Sequence, residues 1–235
     1  MNDRVYLHEV IDIIGNRRKD YFEHMTVGFK RGGEGRRSRC FGVWGTLGST
    51  ARWPEVINLW EHDDWSGVAH SFASQTRGHG GMQDPELEKW WNKAQEMRSG
   101  GFDRLLAPTD ASPTIDEVIA RGIVGWEAFR HEFVGLVPGE ARNFLEAVEG
   151  EWAPLLKPMG VELVGAYRTL LRDDSEAILI WAVKDWETWA KAEAEIDRGE
   201  AGRRWRTKIR SIAPQMRTEI MVSAPRSPTQ TGRQP

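Results

Sequence analysis

The strongest constraint in this sequence is a stretch that occurs twice. Phe41–Trp65 reads FGVWGTLGSTARWPEVINLWEHDDW, and about 120 residues later Val164–Trp186 reads VGAYRTLLRDDSEAILIWAVKDW. Gly42 matches Gly165, Trp44 matches Tyr167 and Thr46-Leu47 match Thr169-Leu170. Trp60 then matches Trp181, and Asp64-Trp65 match Asp185-Trp186. A fixed offset of this size means two copies of one supersecondary unit, not a single irregular domain. Each copy reads as two short strands joined by a tight turn, with a helix beginning at the end. The 235 residues leave room for two such units of roughly 100–120 residues each.

The rest of the chain fits the same order twice. In the first half, β-branched Val5–Ile13 predicts a strand, and Tyr21, Phe22, Met25 and Phe29 fall on one helical face. The paired strands Arg39–Leu47 and Glu55–Glu61 follow. Asp64 can cap the next helix, Pro85 opens another at its favoured first position, and Phe102–Ala107 closes the unit. In the second half the equivalents are Trp126–Leu136, a helix over Glu140–Leu156, the strands Val161–Leu171 and Ala177–Lys184, two helices, and Arg217–Ser223. Each half is then a ferredoxin-like unit, an antiparallel sheet with helices on one face. The two bare sheet faces can bury each other. The expected fold is α+β, a tandem duplication of ferredoxin-like units forming an α+β barrel. The expected division is a first repeat over 1–107, a linker over 108–122, a second repeat over 123–225 and a disordered tail over 226–235. The tail is polar and has nothing apolar to bury.

Charge and composition exclude several classes. A net charge of −3 argues against a nucleic-acid partner, which needs a basic face. No apolar run approaches the roughly 20 residues that span a bilayer, and the N-terminus has no signal-peptide layout. Cys40 is the only cysteine, so no intrachain disulfide forms, and a cytoplasmic location is expected. In a predicted strand, Cys40 reads as a buried, inert thiol. A small-molecule substrate is the expected partner, and a homo-oligomer stays open.

Phe129–Val148, FRHEFVGLVPGEARNFLEAV, resembles the opening of NIPSNAP-family domains: a strand, Pro-Gly, then a helix. LHEVIDIIGNRRKDYFEHM gives a weaker version, with Gly15-Asn16 in place of Pro-Gly. The segment FGVWGTLG…EVINLWEHDDW is similar to the family's glycine–tryptophan strand, its Leu-Trp strand and its Asp-led helix. The resemblance covers nearly the whole chain as two tandem copies. It implies the dimeric α+β barrel architecture, whose members include cofactor-free monooxygenases, cyclases, lactone isomerases and haem enzymes. Fold alone does not choose among them.

Candidate chemistry collects in the first half. Five of the six histidines lie there: His8, His24, His62, His70 and His79. Imidazole titrates near neutral pH, so such a cluster suits proton transfer. His8 and His131 occupy matching places, each followed by Glu, which favours a fold role for that pair. His24 and His70 have no histidine counterpart in the second repeat. His8, His24 and His70 are the candidate catalytic residues, with Tyr21, Trp44 and Trp60 as candidate walls of a cavity between sheet and helices. The glycine-rich basic loop RGGEGRRSR, Arg31–Arg39, lacks the Gly-Lys-Ser/Thr of a phosphate loop. It reads either as a solvated linker or as a lid whose Arg36 and Arg37 attract an anionic substrate. Neither HEVID nor HEFVG has metal-ligand spacing, and the aspartates of His62-Asp63-Asp64 read as helix caps, so no metal ligand is assigned.

The expected function is a small-molecule enzyme without a bound organic cofactor. It would act on an apolar or aromatic, and in one version anionic, substrate by histidine-assisted proton transfer. Isomerisation, cyclisation, lyase chemistry and cofactor-free oxygenation all fit. The alternatives are a non-catalytic ligand-binding or scaffold protein and a haem- or metal-binding barrel enzyme.

Overall fold

The computed structural model describes residues 2–28, 36–76 and 85–235. Phe29, the first part of the basic loop and His79 with its glycine-rich segment lie outside the described residues. The first half runs β1 (Val5–Ile13), α1 (Arg18–Thr26), β2 (Ser38–Thr46), β3 (Glu55–His62), α2 (Trp65–Thr76), α3 (Pro85–Gln95) and β4 (Arg98–Pro108). After α4 (Ile115–Ala120), the second half runs β5 (Ala128–Gly135), α5 (Ala141–Ala147), α6 (Ala153–Leu156), β6 (Val161–Thr169) and β7 (Glu176–Val183). It ends with α7 (Trp186–Arg198), α8 (Glu200–Ile209), β8 (Gln215–Ser223) and α9 (Pro228–Thr231).

The eight strands of the described residues close into one antiparallel barrel in the order β1-β3-β2-β8-β5-β7-β6-β4. Within each half the order is fourth, first, third, second strand, as a ferredoxin-like unit requires. The halves join where Trp44–Thr46 meet Met221–Ser223 and where Leu106–Pro108 meet Tyr167–Thr169. Closure leaves the sheet no free edge.

Strand alternation sorts the apolar residues into three layers. The barrel interior takes Tyr6, Trp44, Ile57, Phe129, Tyr167 and Ile180, drawn from both halves. Outside the first half, Ile11, Val56 and Trp60 pack against Tyr21 and Met25 of α1 and Ala94 of α3. Outside the second half, Leu179 and Trp181 pack against Phe144, Leu145, Trp152 and Trp205. The capping box of Thr114 and Glu117 starts α4, which sends Ile115 and Val118 into the interior cluster.

The recurring Gly-x-aromatic motif has a steric cause. β2 and β6 carry matching register shifts, between Cys40 and Gly42 and between Leu163 and Gly165. In each, the aromatic two residues on folds its ring back over the glycine. A methyl group on Gly42 would lie 2.1 Å from the Trp44 ring, and one on Gly165 would lie 2.2 Å from the Tyr167 ring. Only glycine fits beneath either ring.

Three expectations need correction. The bulge turns Trp44 into the barrel interior, so it cannot share a helix-covered cavity with Trp60. The helix expected over Glu140–Leu156 is interrupted by a π-helical turn at Val148–Trp152. The tail after Arg226 is ordered. β2 pairs with β8 only over Trp44–Thr46, and polar tail groups satisfy the backbone just before that point. The Val43 N–H donates to Ser227 Oγ at 3.0 Å. The Gln234 amide accepts from the Cys40 N–H at 2.9 Å and donates to the Cys40 carbonyl at 2.8 Å. Hydrogen bonding to strand backbone holds this segment where apolar burial could not.

Candidate active site

Polar residues at strand positions that face the helix layer are the unusual feature of the first half. β1 and β3 pair so that Glu9 stands opposite Asn58 and Leu7 opposite Trp60. Glu9 is 2 % exposed. Trp60 Nε1 donates to Glu9 Oε2 at 2.5 Å, and Asn58 Nδ2 donates to the same oxygen at 3.0 Å. Asn58 Nδ2 also reaches the Tyr21 hydroxyl of α1 at 3.2 Å. Asn58 Oδ1 is buried without a hydrogen-bond partner among the described residues. Burial pushes the Glu9 carboxyl above the usual carboxylate range and nearby Asp103 pushes it further. The Trp60 and Asn58 hydrogen bonds, with Arg98, pull it partly back.

This carboxylate lines a cavity. An outer space of about 550 Å³ is bordered by Leu7, Glu9, Arg36, Trp91, Arg98 and Arg104, among others. It shares Leu7, Glu9, Arg36 and Trp91 with a narrow inner recess that adds Trp60, His62 and Trp90. Arg36 stacks over the Trp90 ring at 5.9 Å, and Arg98 over Trp91 at 5.0 Å. His62 is buried at the wall of the recess; burial holds its imidazole below the ordinary value, and the Arg37 carbonyl partly offsets this. The arrangement offers a buried base or acid, an aromatic wall and guanidinium groups.

Glu9, Asn58 and His62 were not among the candidates read from the sequence. A signal was present: polar residues at core-facing positions of otherwise apolar strands, with Leu179 standing in the second repeat where Asn58 stands in the first. Of the residues expected to form a site, Tyr21, Trp60 and Arg36 come together here. Trp44 lies inside the barrel. His8 also lies inside it, its Nε2 2.9 Å from that of His131. His24 sits at the outer groove between α1 and α3, stacked on Trp90, with its Nε2 3.0 Å from the Trp90 carbonyl oxygen. His70 is exposed on α2, and Arg37 is exposed at φ +50°.

The second half closes the corresponding space. Glu132, the counterpart of Glu9, stands opposite Leu179 and accepts from Arg130 Nη2 at 2.8 Å. Arg130 in turn pairs with Glu193 of α7. Phe144 takes the place of Tyr21 in an apolar cluster. A surface groove of about 570 Å³ does lie beside α8, floored by Trp205. Its charged groups pair with one another, Lys208 with Glu151 and Arg204 with Glu200. Among the described residues no cluster of histidine, cysteine and carboxylate groups has a metal-binding arrangement. Burial pushes the Cys40 thiol up, which keeps it protonated. No described helix is long and apolar enough to cross a membrane.

No protein-family model matches the chain, and no curated protein sequence matches it either. Solved structures do match. An anthrone oxidase-like protein aligns over 94% of this chain and 91% of its own, with a TM-score of 0.64 and 12% identity. A "putative monooxygenase" from Lactobacillus acidophilus NCFM aligns over 94% of both chains, with a TM-score of 0.60 and 11% identity. A NIPSNAP-like domain protein from Burkholderia xenovorans aligns over 48% of this chain and 91% of its own, at 20% identity and a TM-score of 0.38. The fold is that of the ferredoxin-like dimeric α+β barrel proteins, with both halves of the barrel carried on one chain.

Proposed function

We propose that the chain is a small-molecule enzyme whose active site is the cavity of the first half. Glu9 moves the proton in this reading. The observation that carries it is the Glu9 carboxylate, buried in the cavity wall and held through one oxygen by Trp60 and Asn58. A carboxylate with a raised pKa is a stronger base than an exposed one, and one fixed by hydrogen bonds needs little reorganisation to act. His8, His24 and His70 all lie away from this space, so the acid–base role passes from the expected histidines to Glu9. His62 remains the imidazole of the recess.

The substrate has an apolar or aromatic body, which Trp60, Trp90 and Trp91 accommodate. Glu9 takes a proton from an acidic C–H or O–H group, leaving a carbanion or oxyanion. That anion then isomerises, cyclises, eliminates or reacts with dioxygen, without a bound organic cofactor. The names of two structures with this fold, an anthrone oxidase-like protein and a "putative monooxygenase", favour the last of these for an electron-rich aromatic substrate.

The test is Glu9→Gln, assayed by mass spectrometry against a panel of acidic aromatic compounds, with anthrone first. Both proton exchange in heavy water and product formation in air are followed. General acid–base catalysis contributes about 10²–10⁴-fold, and a loss of that size with unchanged folding is expected. Equal rates in the variant and the parent would remove Glu9 from the chemistry, and no turnover by either would favour a ligand-binding protein.

A further inference from the structure

The cavity of the first half is not walled by the first half alone. The turn between β6 and β7 reaches across the β4–β6 junction and contributes Leu170, Leu171 and Arg172 to its border. A backbone bond fixes it there, Leu170 N–H donating to the Leu105 carbonyl at 2.7 Å. Leu171 then adopts φ +59°, a left-handed conformation that non-glycine residues rarely hold, and it is 83% exposed. A strained backbone carrying a bare leucine gains nothing in packing, and strain of this kind collects at sites of function. Arg172 stacks over Phe102 at 5.7 Å, and Arg104 over the same ring at 4.2 Å. Arg104 is anchored by Glu176, its Nε 2.5 Å from Oε1. Its guanidinium lies on the inner face of β4, opposite His8 in register and 5.3 Å from the Phe133 ring, so it turns into the barrel. Arg36, Arg98 and Arg172 border the space, against the two carboxylates Glu9 and Asp103.

The equivalent turn of the first repeat docks by the same bond, Leu47 N–H to the Ile220 carbonyl at 2.8 Å. The contact is therefore a property of the barrel. In the second half the helix layer is filled core, whereas in the first it holds the cavity.

We infer that the β6–β7 turn of the second repeat is the specificity element of the first repeat's cavity. Arg172 holds the anionic group of an aromatic carboxylate or phenolate, and Leu171 covers the apolar body together with Trp91 and Leu7. This rests on the cavity being a substrate site, but not on Glu9 being the catalytic group.

Calorimetric titration with 1-naphthoate and its uncharged analogue 1-naphthamide tests it. The parent protein should bind the carboxylate more tightly than the amide, with a difference that shrinks as salt is added. Arg172→Ala should weaken the carboxylate about tenfold and leave the amide unchanged. Leu171→Gly should weaken both several-fold, while the thermal midpoint holds or rises because glycine relaxes the positive φ. Gln95→Trp, at an exposed cavity-lining position, should block both ligands. If it blocks them while Arg172→Ala and Leu171→Gly change nothing, the cavity remains a ligand site and the turn loses its role. Binding that survives Gln95→Trp lies elsewhere and overturns the assignment. No binding of either compound to the parent overturns the ligand class.

Discussion

His8 of β1 and His131 of β5 meet inside the barrel with their Nε2 atoms 2.9 Å apart. They are repeat equivalents, so the contact lies where the two halves face each other. One ring must donate and the other accept. Phe133 packs edge-on against both rings, at 5.9 Å from His8 and 4.3 Å from His131. Glu219 Oε2 lies 3.9 Å from His131 Nδ1, while Arg217 pairs with Glu219 at 2.7 Å. Burial holds both imidazoles below their ordinary value, and nearby Arg104 adds to this.

The pair should make the barrel acid-labile. The unfolded histidines take up protons as pH falls through about 6.5, whereas the folded ones resist, so stability falls with pH. Each contributes up to about 1.4 kcal/mol per pH unit until its folded value is reached. Burial and the nearby Glu219 push Glu55 up to about 7, and Glu9 is also raised. Those carboxyls work the opposite way between their unfolded value near 4.5 and their folded ones. The difference between two proteins therefore isolates the histidines. Comparing urea midpoints of the parent and of His8→Leu/His131→Leu from pH 7.5 to 5, the parent should lose ground toward acid. Parallel curves would mean that the folded pair accepts a proton freely.

Trp60 and Trp181 hold equivalent positions with different partners. Trp181 Nε1 has no hydrogen-bond partner among the described residues, and its ring is fully buried. Trp181→Ala should cost about 3–5 kcal/mol in chemical denaturation. Trp60→Phe keeps most of the ring but removes the donor to Glu9. The Glu9 carboxyl should then rise further, moving the acid limb of a kcat/KM profile to higher pH. Asn58→Leu, which installs the second repeat's residue, should move it the same way. An unmoved limb would show that another group titrates.

Gly42→Ala should be far more damaging than an ordinary strand glycine substitution, because its methyl group meets the Trp44 ring. Overpacking of this kind costs about 1–3 kcal/mol. In a double-mutant cycle, Trp44→Leu should recover part of the loss by vacating the space. Additive effects would mean that the ring and the glycine are independent.

The duplication, the strand order and the helix layers were legible because identity at a fixed spacing and alternating hydrophobicity are properties of local sequence. Facing was not. The register shift beside Phe41 moves Trp44 to the opposite side of the sheet from a simple alternation, and nothing in FGVWG announces it. The cavity was hidden for another reason. Glu9 is adjacent to His8 in the chain, but they occupy opposite faces of β1, and only Glu9 faces the cavity. Arg36 and Trp60 do line the recess, and Tyr21 reaches it through Asn58.

The C-terminal tail supplies a separate test. Removing residues 226–235 leaves the Val43 N–H and both backbone groups of Cys40 without their present partners. Buried backbone groups left unsatisfied cost about 1–3 kcal/mol each. Truncation should lower the thermal midpoint by several degrees and speed amide exchange at Cys40 and Val43. Exchange that stays slow at both would show that β2 holds its edge without the tail.

In a barrel built from two identical chains, any substitution that seals one cavity seals both, because each copy inherits it. Joining the halves lifts that restriction. Asn58 and Leu179 occupy the same place, yet can change independently, as can Tyr21 and Phe144. One half has become a solid buttress, with Arg130 clamping the acidic group that its twin leaves facing the cavity. Loss of symmetry is thus what the fusion makes possible, and two inequivalent halves, one filled and one holding a cavity, are its result.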